Sequence, residues 1–246
     1  MIAIKFWNFT NKAATATEPE EVELRIDGDI VDDEDMWLYK LVGDPATSPI
    51  LFRDELSKHS NKPLTVWIDS YGGNVFASAG IYTALKEHKG GVTVKIDGKA
   101  MSAASVIAMA GDQILMSPTA IMMIHNPFTA VQQGYASDLR KAADVLDTVK
   151  ESIINAYAAK TGRTRASISA LMDGESYFSA KAAIKEKFAD GMLYADAEAK
   201  SVEMAFGRST IMNSTNDAIK RMVAKYTPQK PDNSHELAML KLQIEI

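Results

Sequence analysis

The chain has 246 residues, 46% of them hydrophobic and 24% charged, and a formal net charge of −5. That suits one generous soluble domain with an extension and gives no global pull toward nucleic acid or an anionic membrane. There are no cysteines, so disulfides, thiolate metal sites and cysteine nucleophiles are excluded.

The N-terminus, "MIAIKFWNFTNK", has a lysine at position 5 and no long apolar core, which argues against a secretory signal. No apolar run has the length to span a bilayer. A cytoplasmic location is expected. Residues 1–20 end in polar "NKAATATEPE" and are expected to be a flexible segment.

"EVELRIDGDI" then alternates Val22, Leu24 and Ile26 with charges, which predicts a strand closed by an Asp27-Gly28 turn. "SPILFRDELSKH" predicts a helix with Pro49 in its first turn. "PLTVWIDS" predicts a strand, "YGG" a turn and "NVFASAGIYTALKEH" a helix. The unit repeats as the strand "GGVTVKID", the turn "GKAMS" and the short apolar helix "AASVIAMAG", whose composition predicts burial. "QILM" and "AIMMI" predict two short strands. A long helix follows, with Leu139, Leu146, Val149, Ile153 and Tyr157 on one stripe and Gly162 as its end signal. Two further helices start at the candidate caps Thr164 and Ser179. Strands alternating with helices predict an α/β fold with mainly parallel pairing, in units nearer ββα than βα. After Phe206 the chain turns polar, so 21–206 is taken as the domain and 207–246 as a tail with a short helix.

Two segments at predicted strand-to-helix turns can carry chemistry. Ser102 lies where "IDGKAM" meets the apolar helix, with the Ala103 N–H at the helix start, where free donors favour negative charge. A packing joint of small residues explains that stretch equally well. "DSYGGN" puts Gly72 and Gly73 in the preceding turn, where backbone amides can approach a ligand. Consecutive parallel units bring both turns to one sheet edge, the edge at which open α/β sheets bind ligands.

A serine needs a base, and the base needs an orienting group. Of four histidines, His59 and His88 end charged helices and His235 lies in the tail. His125 follows the apolar strand "AIMMI" and precedes Asn-Pro, at the same edge. Asp173 and Glu175 in "LMDGESYFSAK" are the carboxylates that can orient it. Neither a nucleotide-binding loop nor a metal motif is present, so no cofactor and no metal are expected.

With these residues in view, the chain resembles the ClpP-like serine peptidases over about residues 20–195. It is most similar to the branch found beside phage capsid genes. "IDSYGGNVFASAGIYTAL" matches the glycine-pair unit and "DGKAMSAASVIAMAGD" the nucleophile segment, with Ser102 at the serine. "AIMMIHNP" matches the histidine segment at His125, and "MDGESYFSAKAA" the acid segment at Glu175. The resemblance implies a ClpP/crotonase-like fold of ββα units with a projecting handle helix, from Ser137 to Lys160. It implies a heptameric or tetradecameric ring with an internal chamber. It also implies a Ser102–His125–Glu175 triad, Asp173 being the alternative acid. Gly72 or Gly73, with Ala103, would supply oxyanion amides.

Three positions depart from the family. Tyr71 stands where proline is usual, which predicts a looser glycine loop or a reshaped substrate groove. The acid aligns on a glutamate. Lys187 replaces a glycine, which predicts local strain or a different shape at that helix end. The implied activity is serine endopeptidase, ATP-independent or ATPase-assisted, acting on capsid or scaffold protein during prohead maturation. A general protein-degrading peptidase docking an unfoldase ATPase is the alternative. From another class, the chain would be a non-catalytic assembly protein on the same fold. No nucleic-acid or membrane partner is expected.

Overall fold

The structure is a computed structural model, and it describes residues 9–12, 21–32, 46–47, 49–129 and 134–194. The expectations for the tail 207–246 and for most of 1–20 fall outside those residues.

Three parallel strands form the centre: β2 (Glu21–Ile30), β4 (Leu64–Gly73) and β5 (Val92–Met101). Along each, buried apolar residues recur at every second position, and these positions are in register across the sheet. Leu24 lies beside Val66 and Val66 beside Val94, then Ile26 beside Ile68 and Ile68 beside Ile96. All of these are buried. Period-two geometry sends the intervening charged residues to the opposite face.

The path through the sheet runs β1-β2-β4-β5-β6-β9, where β1 is Phe9–Lys12, β6 Gln113–Met116 and β9 Gly191–Met192. Off this path, β3 (Ala46–Thr47) pairs with β2, β7 (Ile121–Ile124) with β5, and β8 (Ser176–Ser179) antiparallel with β7. In chain order the helices are α1 (Pro49–Ser57), α2 (Val75–Lys86), α3 (Ala103–Ala108), α4 (Ala136–Thr161), α5 (Arg165–Asp173) and α6 (Ala180–Lys185). α2 joins β4 to β5 and α3 joins β5 to β6, as parallel pairing requires.

The mixed α/β architecture agrees with the ClpP-like fold. It differs from the sequence reading in detail. Asp27-Gly28 is not a terminating turn: Gly28 takes φ 81, the register shifts by a bulge, and β2 resumes to Ile30. β4 and β5 likewise run on through "YGG" and "GKAM" rather than stopping before them. Phe9–Lys12, grouped by its polarity with a flexible segment, is a strand antiparallel to β2, satisfying one edge of it. β8 and β9 are too short for a periodic signal.

The helix termini follow the expected chemistry. Thr164 Oγ1 accepts the Ser167 N–H at 3.2 Å, and Ser179 Oγ accepts the Ala182 N–H at 3.4 Å. Lys187 takes φ 65, the left-handed conformation that favours glycine. Every residue of α3 is buried. In α4 the stripe is buried only toward its C-terminal end, at Val149, Ile153 and Tyr157, while Leu139 is 48% exposed. That half of the helix projects from the core.

Beneath the helices, Phe188 stacks on Phe178 with centroids 4.9 Å apart and meets the Tyr157 ring edge-on at 5.7 Å. Phe188 is fully buried. Phe188→Ala should therefore destabilise the fold by about 3–5 kcal/mol, read as a lowered denaturant midpoint; a shift worth under about 1 kcal/mol would contradict this packing.

Candidate active site

β5 delivers Ser102 to the sheet edge in an unusual backbone state. Its φ is 52 and its ψ −126, a region non-glycine residues rarely occupy. Its N–H donates to the Met123 carbonyl of β7 at 2.9 Å. Its carbonyl accepts the Ser105 N–H at 3.0 Å and the Ser105 hydroxyl at 2.6 Å. The nucleophile candidate is thus pinned from a strand on one side and a helix on the other.

β7 ends at Ile124, and the next residue is His125. Its Nε2 lies 2.6 Å from Ser102 Oγ, so a neutral imidazole can accept the hydroxyl proton. His125 is half-buried, and desolvation pulls its pKa below the ordinary value; attraction to Glu175 partly offsets this. Burial thus keeps the ring in the neutral form that a base requires.

The two candidate acids are placed differently. In the β7–β8 ladder Ile124 lies opposite Ser176, so Glu175 immediately precedes the residue facing the histidine's neighbour. Glu175 takes φ 45, and its charge acts on His125. Asp173 is engaged elsewhere. Its Oδ1 accepts Lys150 Nζ at 2.6 Å and Asn126 Nδ2 at 2.9 Å. Lys150, then Asn126, holds the Asp173 carboxyl below the usual carboxylate range. Asp173 therefore ties the long helix to the residue after the histidine.

The glycine pair lies against the serine. A Cβ on Gly72, at φ 102, would sit 2.6 Å from the Met101 carbonyl oxygen and 2.9 Å from the Ala103 nitrogen. Only glycine permits that approach. The Gly72 N–H donates to Ser70 Oγ at 3.0 Å, while Ser70 Oγ donates to the Gly28 carbonyl at 2.5 Å. Gly72 is thus committed within the loop. Gly73 and Ala103 are the members of the predicted oxyanion set that line the cavity beside Ser102. The Ala103 N–H belongs to the helical first turn, which leaves donors without intrahelical partners.

That cavity is about 600 Å³ in volume. Val106, Leu146, Val149 and Ile153 give it an apolar wall, much of it from α4. Phe128 stands at the histidine side, its ring centroid 5.8 Å from that of His125. Sequence reasoning missed this wall as a binding surface, because residues spaced along the α4 stripe look like core.

Ser105 is fully buried and shares a 2.7 Å hydrogen bond with Tyr157 Oη. It packs α3 against α4 and does not face the cavity lining. Lys99, the lysine nearest Ser102 in sequence, directs its ammonium to Asp69 Oδ1 at 2.5 Å.

The Clp protease family profile matches residues 37–196. The chain belongs to the Clp protease family. It is 30% identical over 129 residues to an ATP-dependent Clp protease proteolytic subunit of Chlorella vulgaris, covering 52% of this chain and 64% of that protein. Proteolytic subunit 2 of Prochlorococcus marinus gives 32% over the same length and the same coverage. Proteolytic subunit 1 of Chlamydia muridarum gives 31% over 136 residues, 54% of this chain and 71% of that protein. The chain thus spans under two thirds of the length of the first two relatives.

The site makes two predictions about pH. Labelling of Ser102 by a fluorophosphonate should fall on acidification only below pH 6.5, the ordinary histidine value, because the folded-state pKa is lowered. Glu175→Gln removes the charge that raises this pKa, so its acid limb should move to lower pH while the rate falls by about 10²-fold. Asp173→Asn should leave the acid limb in place. A limb that moves for Asp173→Asn and not for Glu175→Gln would reverse the acid assignment.

Proposed function

We propose that this chain is a serine endopeptidase whose triad is Ser102, His125 and Glu175. The 2.6 Å contact between Ser102 Oγ and His125 Nε2, at the mouth of an apolar cavity, carries this reading. The Ser102 oxygen attacks a peptide carbonyl carbon and His125 takes the hydroxyl proton. Glu175 stabilises the imidazolium that forms. The Gly73 and Ala103 amides stabilise the carbonyl oxygen as it becomes an oxyanion. His125 then returns its proton to the departing amine, leaving an acyl-serine. Water, deprotonated by the same imidazole, releases the acid and restores the hydroxyl.

The apolar wall supports preference for a bulky apolar residue just before the scissile bond. Peptides of that kind should be cleaved at least about tenfold faster than ones with a charged residue there, because burying an unpaired charge is costly. A flat ranking across a fluorogenic peptide series would contradict this.

The projecting half of α4, with Leu139 and Val145 about half exposed, supports assembly of copies into a ring, with seven or fourteen subunits by family resemblance. The names of the relatives favour a Clp-type degradative peptidase working with an ATPase. Processing of capsid or scaffold protein is the second setting, supported by the sequence resemblance to the phage branch. Co-expression with capsid and scaffold proteins, followed by mapping of cleavage sites, separates the two.

A fluorophosphonate probe tests the activity itself. Label should be lost in Ser102→Ala. Ser105→Ala should keep it, while stability falls by about 1–3 kcal/mol as buried Tyr157 loses its partner. Absence of labelling in assembled wild-type protein would instead indicate a non-catalytic assembly protein.

A further inference from the structure

The family's usual proline is absent at position 71, and a side-chain contact from the neighbouring strand meets the residue there instead. β5 carries a bulge at this point. Ile68 pairs with Ile96, and the next register pair is Ser70 with Ala100, so 97–99 face a single residue of β4, Asp69. Gly98 lies in that bulge, and a Cβ there would come within 2.5 Å of Asp69 Oδ1. The missing side chain admits the Asp69 carboxylate. Lys99 closes the arrangement: its Nζ is 2.5 Å from Asp69 Oδ1 and 4.3 Å from the centre of the Tyr71 ring. The ammonium is thus shared by a carboxylate and an aromatic face. Lys99 keeps 22% of its side-chain surface exposed and Asp69 35%, so the contact is partly screened from water.

Tyr71 directly precedes Gly72, whose backbone is pressed against Met101, Ser102 and Ala103. A shift of Tyr71 therefore changes the separation of Gly73 from the serine. We infer that Lys99 is a positioning residue for the oxyanion loop, its ammonium clamping the Tyr71 ring to Asp69 and so setting the distance from Gly73 to Ser102. This rests on the serine peptidase reading. Lys99 replaces by a side-chain clamp the rigidity that a fixed proline φ would give.

Two independent readouts test it on the full-length assembled protein. One is peptide hydrolysis; the other is hydrogen exchange over residues 68–76, which reports the loop whether or not the chain is a peptidase. Lys99→Met keeps the apolar stem and removes the charge. It should speed exchange in that segment and lower kcat about tenfold with KM nearly unchanged, since misplaced oxyanion donors affect the transition state first. Tyr71→Leu, which removes the ring but leaves the Lys99–Asp69 pair, should do the same. Lys99→Arg keeps a cation that can stack and pair, and should restore most of both readouts. Lys95→Met is the control. It removes a similar contact, 5.1 Å over Trp67 on the same sheet, away from the loop.

Unchanged exchange in Lys99→Met would overturn the clamp. Faster exchange with full kcat would overturn its positioning role, as would an equal loss in Lys95→Met. If the wild type neither hydrolyses peptide nor takes the fluorophosphonate, the peptidase reading fails, and the exchange arm alone decides the clamp.

Discussion

Ser102 holds φ 52 and ψ −126, a backbone state costing on the order of 1–3 kcal/mol for a residue with a side chain. Such a state persists only where the surroundings over-determine it. Here the Met123 carbonyl fixes the serine's N–H, while Ser105 fixes its carbonyl by backbone and hydroxyl. Ser105 in turn bonds to Tyr157, deep in the long helix. The strand that supplies the histidine and the helix that supplies the cavity wall therefore meet at one peptide unit. Placing the hydroxyl, placing the imidazole and shaping the cavity are one constraint.

Electrostatics divides the labour among the charged groups. Burial keeps His125 neutral and so able to accept a proton. Glu175 is exposed, so water competes with the imidazole for its charge. Its longer side chain and its left-handed backbone direct the carboxylate from a loop rather than from a rigid element. Asp173, two residues away, anchors that loop by tying Lys150 of α4 to Asn126.

Much of this was legible in residues. Alternation marked "EVELRI" as a strand with one buried face, and "PLTVWI" and "VTVKI" read as strands beside it. The buried short helix, the caps at Thr164 and Ser179, and the positions of Ser102 and His125 could be named for chemical reasons. The bulges could not. A strand that pauses at Gly28 and resumes looks, in one dimension, like a strand that ends. Tyr71 pointed to looseness because proline's rigidity lies within one residue, whereas the Lys99 contact depends on a register shift in the neighbouring strand. Which of Asp173 and Glu175 lies beside the His125 segment likewise depends on where β8 pairs, which four residues do not announce.

β5 changes partners along its length. Residues 93–96 pair with β6 and residues 99–101 with β7, and the bulge lies at the fork. One strand thereby opens the sheet into two branches, and the histidine rides on the second. The number of residues in the bulge sets which way Lys99, Ala100 and Met101 point, since side chains alternate strictly along a strand. Removing a single residue there would turn the buried Ala100 outward and draw Lys99 toward the core, with Ser102, His125 and Glu175 all still present in the sequence. The number of residues at this fork thus constrains the site's geometry alongside the identity of its polar groups.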